Sequence, residues 1–196
     1  KRNIKDKEDE INILIDTLHV TENVKNVIEY FGDKIVTCEK DFDGNFADHR
    51  NFHLTKCLGD YIFIIDPDEM PKENLIVNIK KMIHDSGAEM IMVPRINIHP
   101  GFTQEWLEKC KFKTNEVDWI NWPDYQGRIF KNDPEKIYYG NKLHENVLGL
   151  ENPVSLQADP TLALWHIKSV HKQDNRWDTS GDYKSPDGKD FYDSLI

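Results

Sequence analysis

The sequence predicts an α/β protein built on a doubly wound, mostly parallel sheet. Three observations carry that expectation. Short apolar segments alternate with amphipathic ones between residues 11 and 94, in the order β-α-β-α-β-α-β. Glycines close two of the helical segments, Gly32 and Gly59. An acidic turn, Asp66-Pro67-Asp68-Glu69, follows an apolar strand, and in such sheets ligands bind beyond the carboxyl ends of the strands.

INILI (11–15) is the first strand. TENVKNVIEYFG follows, with Val24, Val27, Ile28 and Phe31 at helical spacing, Thr21 as N-cap and Gly32 as the stop. KIVTC (34–38) is the second strand. The turn DFDGN leads into a helix over 46–58 whose apolar stripe passes through Ala47, Leu54 and Leu58. YIFII enters the acidic turn. A helix from Pro71 to His84 buries Leu75, Ile76, Ile79, Met82 and Ile83, and EMIMVP (89–94) is a further strand. Between 95 and 126 the periodicity stops, and a stretch this long is functional or mobile in a compact domain. Shorter strands follow at GRIFK (127–131), KIYY (136–139), KLHENVLG (142–149) and LALWHI (162–167). The expected organisation is one domain over 1–170 and a polar tail over 171–196 acting as a lid.

Apolar residues make up 38% of the 196 and charged residues 31%, which is the composition of a globular chain. The net charge of −10 argues against a nucleic-acid partner, which needs a basic stripe. No apolar run approaches the ~20 residues of a transmembrane helix. Cys38, Cys57 and Cys110 are odd in number and lack CxxC spacing, so a reduced, cytoplasmic protein with core thiols is expected. The chain opens on KRNIKDKEDE without Met, as a fragment or trimmed chain would.

Like charges crowded into four residues are costly unless a cation or protons compensate. Pro67 stiffens the turn, so Asp66 and Asp68 at i and i+2 can converge on Mg²⁺ or Mn²⁺ beside a diphosphate. The plainer reading is a solvated turn in which Asp68 or Glu69 caps the next helix. Arg50 and Asn51 fall on the inward stripe of the preceding helix, which suits either a phosphate or an ion pair with Asp66 or Asp68.

DEINILIDT, then FADHRNFHLTKCLGDYIFIIDPDE, then YQGRIFKNDPEKIYYGNKLHENVLG, and finally LALWHIK resemble the ordered elements of family 2 glycosyltransferases with the GT-A fold. The resemblance covers residues 9–170. It implies a Rossmann-like GT-A sheet with a smaller antiparallel extension on the acceptor side, and a first strand preceding residue 1. It implies transfer of a hexosyl group from a nucleotide-sugar donor, a UDP-sugar foremost, to a glycan, lipid-linked or protein acceptor. Asp66 and Asp68 become the DxD element, with His166 completing the metal or diphosphate site and His171 as its substitute. Asp16, Arg50 and His144 fall at nucleotide- or diphosphate-binding positions. Glu145 matches the general base of an inverting reaction, with Asp124 as second candidate. Leu18-His19-Val20 stands where the family commonly has Gly-Ser.

Trp106, Trp119, Trp122 and Tyr125 crowd one irregular segment. Flat aromatic faces stack on the C–H faces of sugars, which makes an acceptor wall, or else they plug a small satellite core. Two rival classes stay open: another divalent-metal phosphoryl or nucleotidyl enzyme, and a degenerate, non-catalytic carbohydrate-binding transferase. The first lacks a Walker A glycine loop.

Overall fold

The computed structural model describes residues 8–142 and 144–174. These form two compact units. One holds the chain up to Ile62 together with Phe130–Glu151, and the other holds Phe63–Ile129 together with the chain from Asn152 onward. The part of the expected tail beyond residue 174 lies outside the described residues.

In the first unit, β1 (Asn12–Asp16) and β2 (Val36–Lys40) pair in parallel, with Asn12 opposite Val36 and Asp16 opposite Lys40. Helix α1 (Glu22–Phe31) joins them. Thr21 Oγ1 accepts from the Val24 N–H, and Gly32 at φ +52° ends the helix, as the sequence implies. Helix α2 (Phe46–Leu54) starts at Asn45, whose side chain accepts from the Asp48 N–H. It stops four residues short of the expected end. Thr55 Oγ1 turns back on the Phe52 carbonyl, and Leu58, expected on the apolar stripe, is 87% exposed.

Asn51 does for β7 (Tyr138–Gly140) what a neighbouring strand would do. Its Nδ2 donates to the Tyr139 carbonyl at 2.9 Å and its Oδ1 accepts from the Tyr139 N–H at 2.7 Å. Strand β8 (Asn146–Leu148) pairs antiparallel with β7. Ala47, Leu54, Phe130, Ile137 and Tyr139 are the buried apolar residues here. Cys38 and Cys57 are half-buried free thiols. Burial raises both above the ordinary thiol value, Cys57 to about 11.

The chain passes between the units within β3 (Tyr61–Phe63) and β6 (Ile120–Lys131). Strands β4 (Glu69–Pro71), β5 (Met90–Ile98), β9 (Pro153–Ser155) and β10 (Leu164–Ile167) belong to the second unit. The six-stranded sheet runs β3-β6-β5-β10-β4, with β9 also on β5. Parallel pairing is local. Strand β10 is parallel to β5 but antiparallel to β4. Instead of one doubly wound sheet, the described strands fall into three sheets of mixed direction.

Helix α3 (Glu73–Ser86) covers Leu75 completely and ends at Gly87 with φ +58°. Its N-cap is Lys72, with no side-chain cap, so neither Asp68 nor Glu69 plays the capping part. Helix α4 (Gln104–Cys110) and the first half of β6 occupy the stretch expected to be irregular. Val170–Asp174 forms a last short helix, α5. Leu75, Ile91, Val93, Ile96, Ile129 and Leu164 make the core. No helix of the described residues is long and apolar enough to cross a membrane.

Candidate functional site

Strand register assembles the acidic side of the second unit. Antiparallel pairing sets His166 of β10 opposite Glu69 of β4, and parallel pairing sets it opposite Asn97 of β5. Residues paired across adjacent strands share a face, so Glu69, His166 and Asn97 form one row. Along β5 the same face carries Arg95, Asn97 and, one step past the strand, His99, because side chains alternate with period two.

The cation that meets the acidic turn is a guanidinium. Arg128 Nη2 lies 2.5 Å from Asp66 Oδ2 and 2.5 Å from Glu69 Oε1. Glu69 also accepts from Arg95 Nη1 at 3.1 Å, and its side chain is wholly buried. Such a carboxylate needs partners of this kind, since an unpaired buried charge is untenable. Arg95 grips Asp124 in bidentate fashion, Nε at 3.0 Å and Nη2 at 2.7 Å to Oδ2. Asp124 also accepts from Asn97 Nδ2 at 2.9 Å and Gln126 Nε2 at 2.9 Å. Burial would raise its pKa, but Arg95 and the Asn97 and Gln126 hydrogen bonds outweigh that and hold its carboxyl below the ordinary value.

Asn97 sets the tautomer of His166. Its amide nitrogen donates to the Ile120 carbonyl and to Asp124, which turns its Oδ1 toward His166 Nδ1 at 2.7 Å. An amide oxygen only accepts, so Nδ1 carries a proton and Nε2 is the ring nitrogen left for another partner. Nε2 lies 3.6 Å from Asp68 Oδ2. Two ligands at right angles about 2.1 Å from one ion stand ~3.0 Å apart, so a small closure would let Asp68 and His166 share a divalent cation. Histidines that bind metals generally donate their other N–H in this manner. Asp66, expected to be the second carboxylate of the same site, points an oxygen at Arg128 instead. Among the described residues no three His, Cys, Asp or Glu side chains form a metal-holding group.

In the first unit, Glu145 Oε1 accepts from Arg50 Nε at 2.6 Å, both side chains being mostly buried. The sequence left Arg50 to a phosphate or to an ion pair with Asp66 or Asp68; in the structure it pairs with Glu145, and Arg128 meets the acidic turn. His144 is exposed with φ +55°. Asp16, at the end of β1, accepts from the Leu18 and Phe42 N–H groups through Oδ1 at 3.1 and 3.2 Å, and its Oδ2 meets His19 Nδ1 at 2.5 Å. Leu18-His19 thus forms a turn around the Asp16 carboxylate.

The aromatic residues divide. Trp106 is 6% exposed, packs with Leu107 and Ile120, and donates from Nε1 to Asp174 at 2.9 Å. It is the plug of a satellite core, which leaves it no face for a sugar. Trp119 and Trp122 are half-buried and meet edge to face at 5.3 Å. Tyr125 donates its hydroxyl to the Leu156 carbonyl.

Arg95, Asn97, His99 and Arg128 escaped the sequence reading, which saw Glu69 only as part of the acidic turn or a helix cap. The alternation Arg95-Ile96-Asn97-Ile98-His99 is the signal that could have found three polar neighbours on a strand face. His99 is 5% exposed and its Nδ1 has no hydrogen-bond partner, a loss of about 1–3 kcal/mol for a buried polar group. Burial, then the neighbouring His166, lowers it to about 4, so it is a neutral imidazole.

The fold and these side chains define a mixed α/β protein with an acidic, histidine-bearing sheet edge. Crystal structures of S. aureus TarS share this fold. TarS 1-349 in complex with UDP-GlcNAc matches with TM-score 0.56 and 15% identity, over 95% of this chain and 55% of that one. The complex with UDP matches with TM-score 0.55 and 14% identity, over 84% and 52%. A longer TarS structure matches with TM-score 0.55 and 14% identity, over 82% and 31%. The chain therefore spans about half the length of the TarS 1-349 structures. No protein-family model matches the sequence, and no curated protein matches it.

Proposed function

We propose that the protein is a glycosyltransferase that moves a sugar from a nucleotide-diphosphate donor, a UDP-sugar foremost, to an acceptor hydroxyl. The observation that carries this reading is the Asp68–His166 pair, its tautomer set by Asn97, in a chain whose fold matches TarS structures holding UDP-GlcNAc and UDP. Asp68 and His166 would hold Mn²⁺ or Mg²⁺, and when bound the ion supplies Lewis-acid stabilisation of the departing diphosphate. Asn97 keeps the Nε2 lone pair of His166 available. Arg128, with Arg95, offsets the charges of Asp66 and Glu69, so the turn repels an anionic donor less than three bare carboxylates would.

Glu145 is the proposed base, taking the acceptor proton as the hydroxyl attacks the anomeric carbon with inversion. Asp124 is the weaker choice, since Arg95, Asn97 and Gln126 occupy its oxygens. Asp16 and His144 are proposed nucleotide contacts, and Arg50 positions Glu145. A second reading, binding without turnover, draws on one observation: Asp66, Asp124 and Glu145 are each already held by an arginine.

The deciding experiment incubates the protein with Mn²⁺ and a panel of UDP-sugars and measures UDP release alongside thermal shift. Stabilisation by metal plus UDP-sugar with UDP release supports transfer. Stabilisation without release supports the binding reading, and the absence of both rules out a nucleotide-sugar protein.

A further inference from the structure

Asp66, Asp124 and Glu145 are each committed to an arginine. The Asp118 carboxylate has neither an ion pair nor a hydrogen bond among the described residues. It is exposed and lines a cleft of about 340 Å³ in the second unit, together with Ile98, Phe102, Val117 and Trp119. That size falls at the low end of the ~300–1,000 Å³ range of small-ligand sites.

Both walls of the cleft are held by their own hydrogen bonds. Thr114 and Ile120 pair antiparallel at the base of the loop that carries Asp118. Within the loop, Asn115 Oδ1 accepts from the N–H groups of Val117 at 3.2 Å and Trp119 at 2.9 Å. The Asn115 main chain donates to the Trp119 carbonyl at 3.3 Å and accepts from the Asp118 N–H at 3.1 Å. Asp118 takes φ +59°, a left-handed conformation that Asp and Asn tolerate better than most side chains. On the other wall, the Phe102 N–H closes a turn on the His99 carbonyl at 3.2 Å, and Thr103 caps α4 directly after it. Neither wall has to be ordered by a ligand, which lowers the cost of binding.

The lining is aromatic, apolar and acidic. Asp118 is its one carboxylate, and no Lys or Arg is among the lining residues. His99 also lines the cleft, but its Nδ1 is buried and meets no ligand. An anion in the cleft is repelled by Asp118, and by Glu116, exposed on the same loop. An uncharged ligand takes water from the carboxylate and returns no charge. A cation gains where both of these lose. Indole is also the side chain whose ring face attracts an ammonium group best. Trp122 meets the Trp119 ring edge to face at 5.3 Å, which steadies the indole. Apolar substituents on such a cation would cover Phe102 and Val117.

We propose that this cleft binds a small organic cation, an alkylated or quaternary ammonium group, whose head lies between the Trp119 indole and the Asp118 carboxylate. The site stands on the cleft, the unpaired carboxylate and the aromatic lining. It does not depend on the nucleotide-sugar reading.

Saturation-transfer NMR and tryptophan emission test it with choline and with 3,3-dimethylbutanol, the uncharged isostere of choline, at constant ionic strength. Methyl β-glucoside and UDP-GlcNAc are titrated in parallel. Saturable choline binding is expected, with the isostere weaker by about fivefold or more. Asp118→Asn removes the charge but suits the same left-handed backbone, and Trp119→Ala removes the indole. Each should weaken choline by about fivefold or more. Glu29→Gln, an equal change of charge at an exposed position in the first unit, should leave choline binding as it is. Melting curves are recorded for every variant; if Trp119→Ala melts early, Asp118→Asn alone decides. Absence of choline binding, equal binding of the isostere, an equal loss in Glu29→Gln, or tighter binding of the glucoside each overturns the proposal. Choline binding without UDP-GlcNAc binding upholds the cleft and sinks the nucleotide-sugar reading, and the reverse result does the opposite.

Discussion

Replacing Arg128 by Met tests whether the acidic turn is held by its arginine. The substitution keeps length and apolar bulk but removes the guanidinium that bridges Asp66 and Glu69 at 2.5 Å each. Breaking a buried ion pair from one side costs about 3–5 kcal/mol, because the other charge is left without its partner. Here Glu69 keeps Arg95 at 3.1 Å, and Asp66 is partly open to water, so the lower figure of ~3 kcal/mol is expected. At about 2–4 °C per kcal/mol for a chain of this size, the melting temperature should fall by ~6–12 °C.

The four tryptophans among the described residues (106, 119, 122 and 165) lie in the second unit, so their emission reports unfolding of that unit. Urea titration followed by emission should show a lower midpoint with an unchanged slope. A loss below ~1 kcal/mol is the size expected of an exposed pair and would refute the view that this network carries the turn. Glu69→Gln provides the contrast. It keeps the shape and an acceptor oxygen for both arginines but removes the carboxylate charge and sets an NH2 group against the Asp66 N–H that Oε2 accepts from, for about 2 kcal/mol.

Further outcomes are expected. Asp68→Asn and His166→Phe should each abolish the extra stabilisation that Mn²⁺ gives in the presence of UDP, read by calorimetry, whereas Asp66→Asn should keep most of it because that carboxylate already faces Arg128. Glu145→Gln should lower turnover by ~10²-fold or more with donor binding retained, and retained turnover would exclude it as base. Asp124 has a folded-state pKa below its ordinary 3.8, so it adds stability above that value and loses it as pH falls through the folded pKa. Asp124→Asn should therefore flatten the acid limb of the stability profile below pH ~4, measured by urea midpoints. Cys57, raised to about 11, should react with iodoacetamide at pH 8 about 100-fold more slowly than an ordinary thiol at 9.0, followed by peptide mass spectrometry. Gly149→Ala should destabilise by ~1–3 kcal/mol, because φ is +84° and a Cβ would land on the Lys136 carbonyl oxygen.

Local signals were legible without the fold. Thr21 and Gly32 bound α1, the apolar positions of α3 recur at helical spacing, and the apolar run Met90–Val93 marks the start of β5. These are written within a few residues, where hydrogen-bond geometry and side-chain spacing act directly. The concentration of carboxylates at Asp66–Glu69 also announced that some cation must meet them. Which cation was decided by tertiary structure. Arg128 stands 62 residues from Asp66, and the pairing of β3 with β6, continued by the Ile64 N–H on the Arg128 carbonyl, brings the two together. The helix stripe left Arg50 to a phosphate or to the acidic turn, and folding gives it Glu145, 95 residues away. Apolar periodicity likewise ended β5 at Pro94, because it cannot show that Arg95, Asn97 and His99 have buried partners waiting across the sheet. A polar side chain is stable inside only if a distant segment supplies its complement, and that depends on strand register, which a single stretch of chain does not carry.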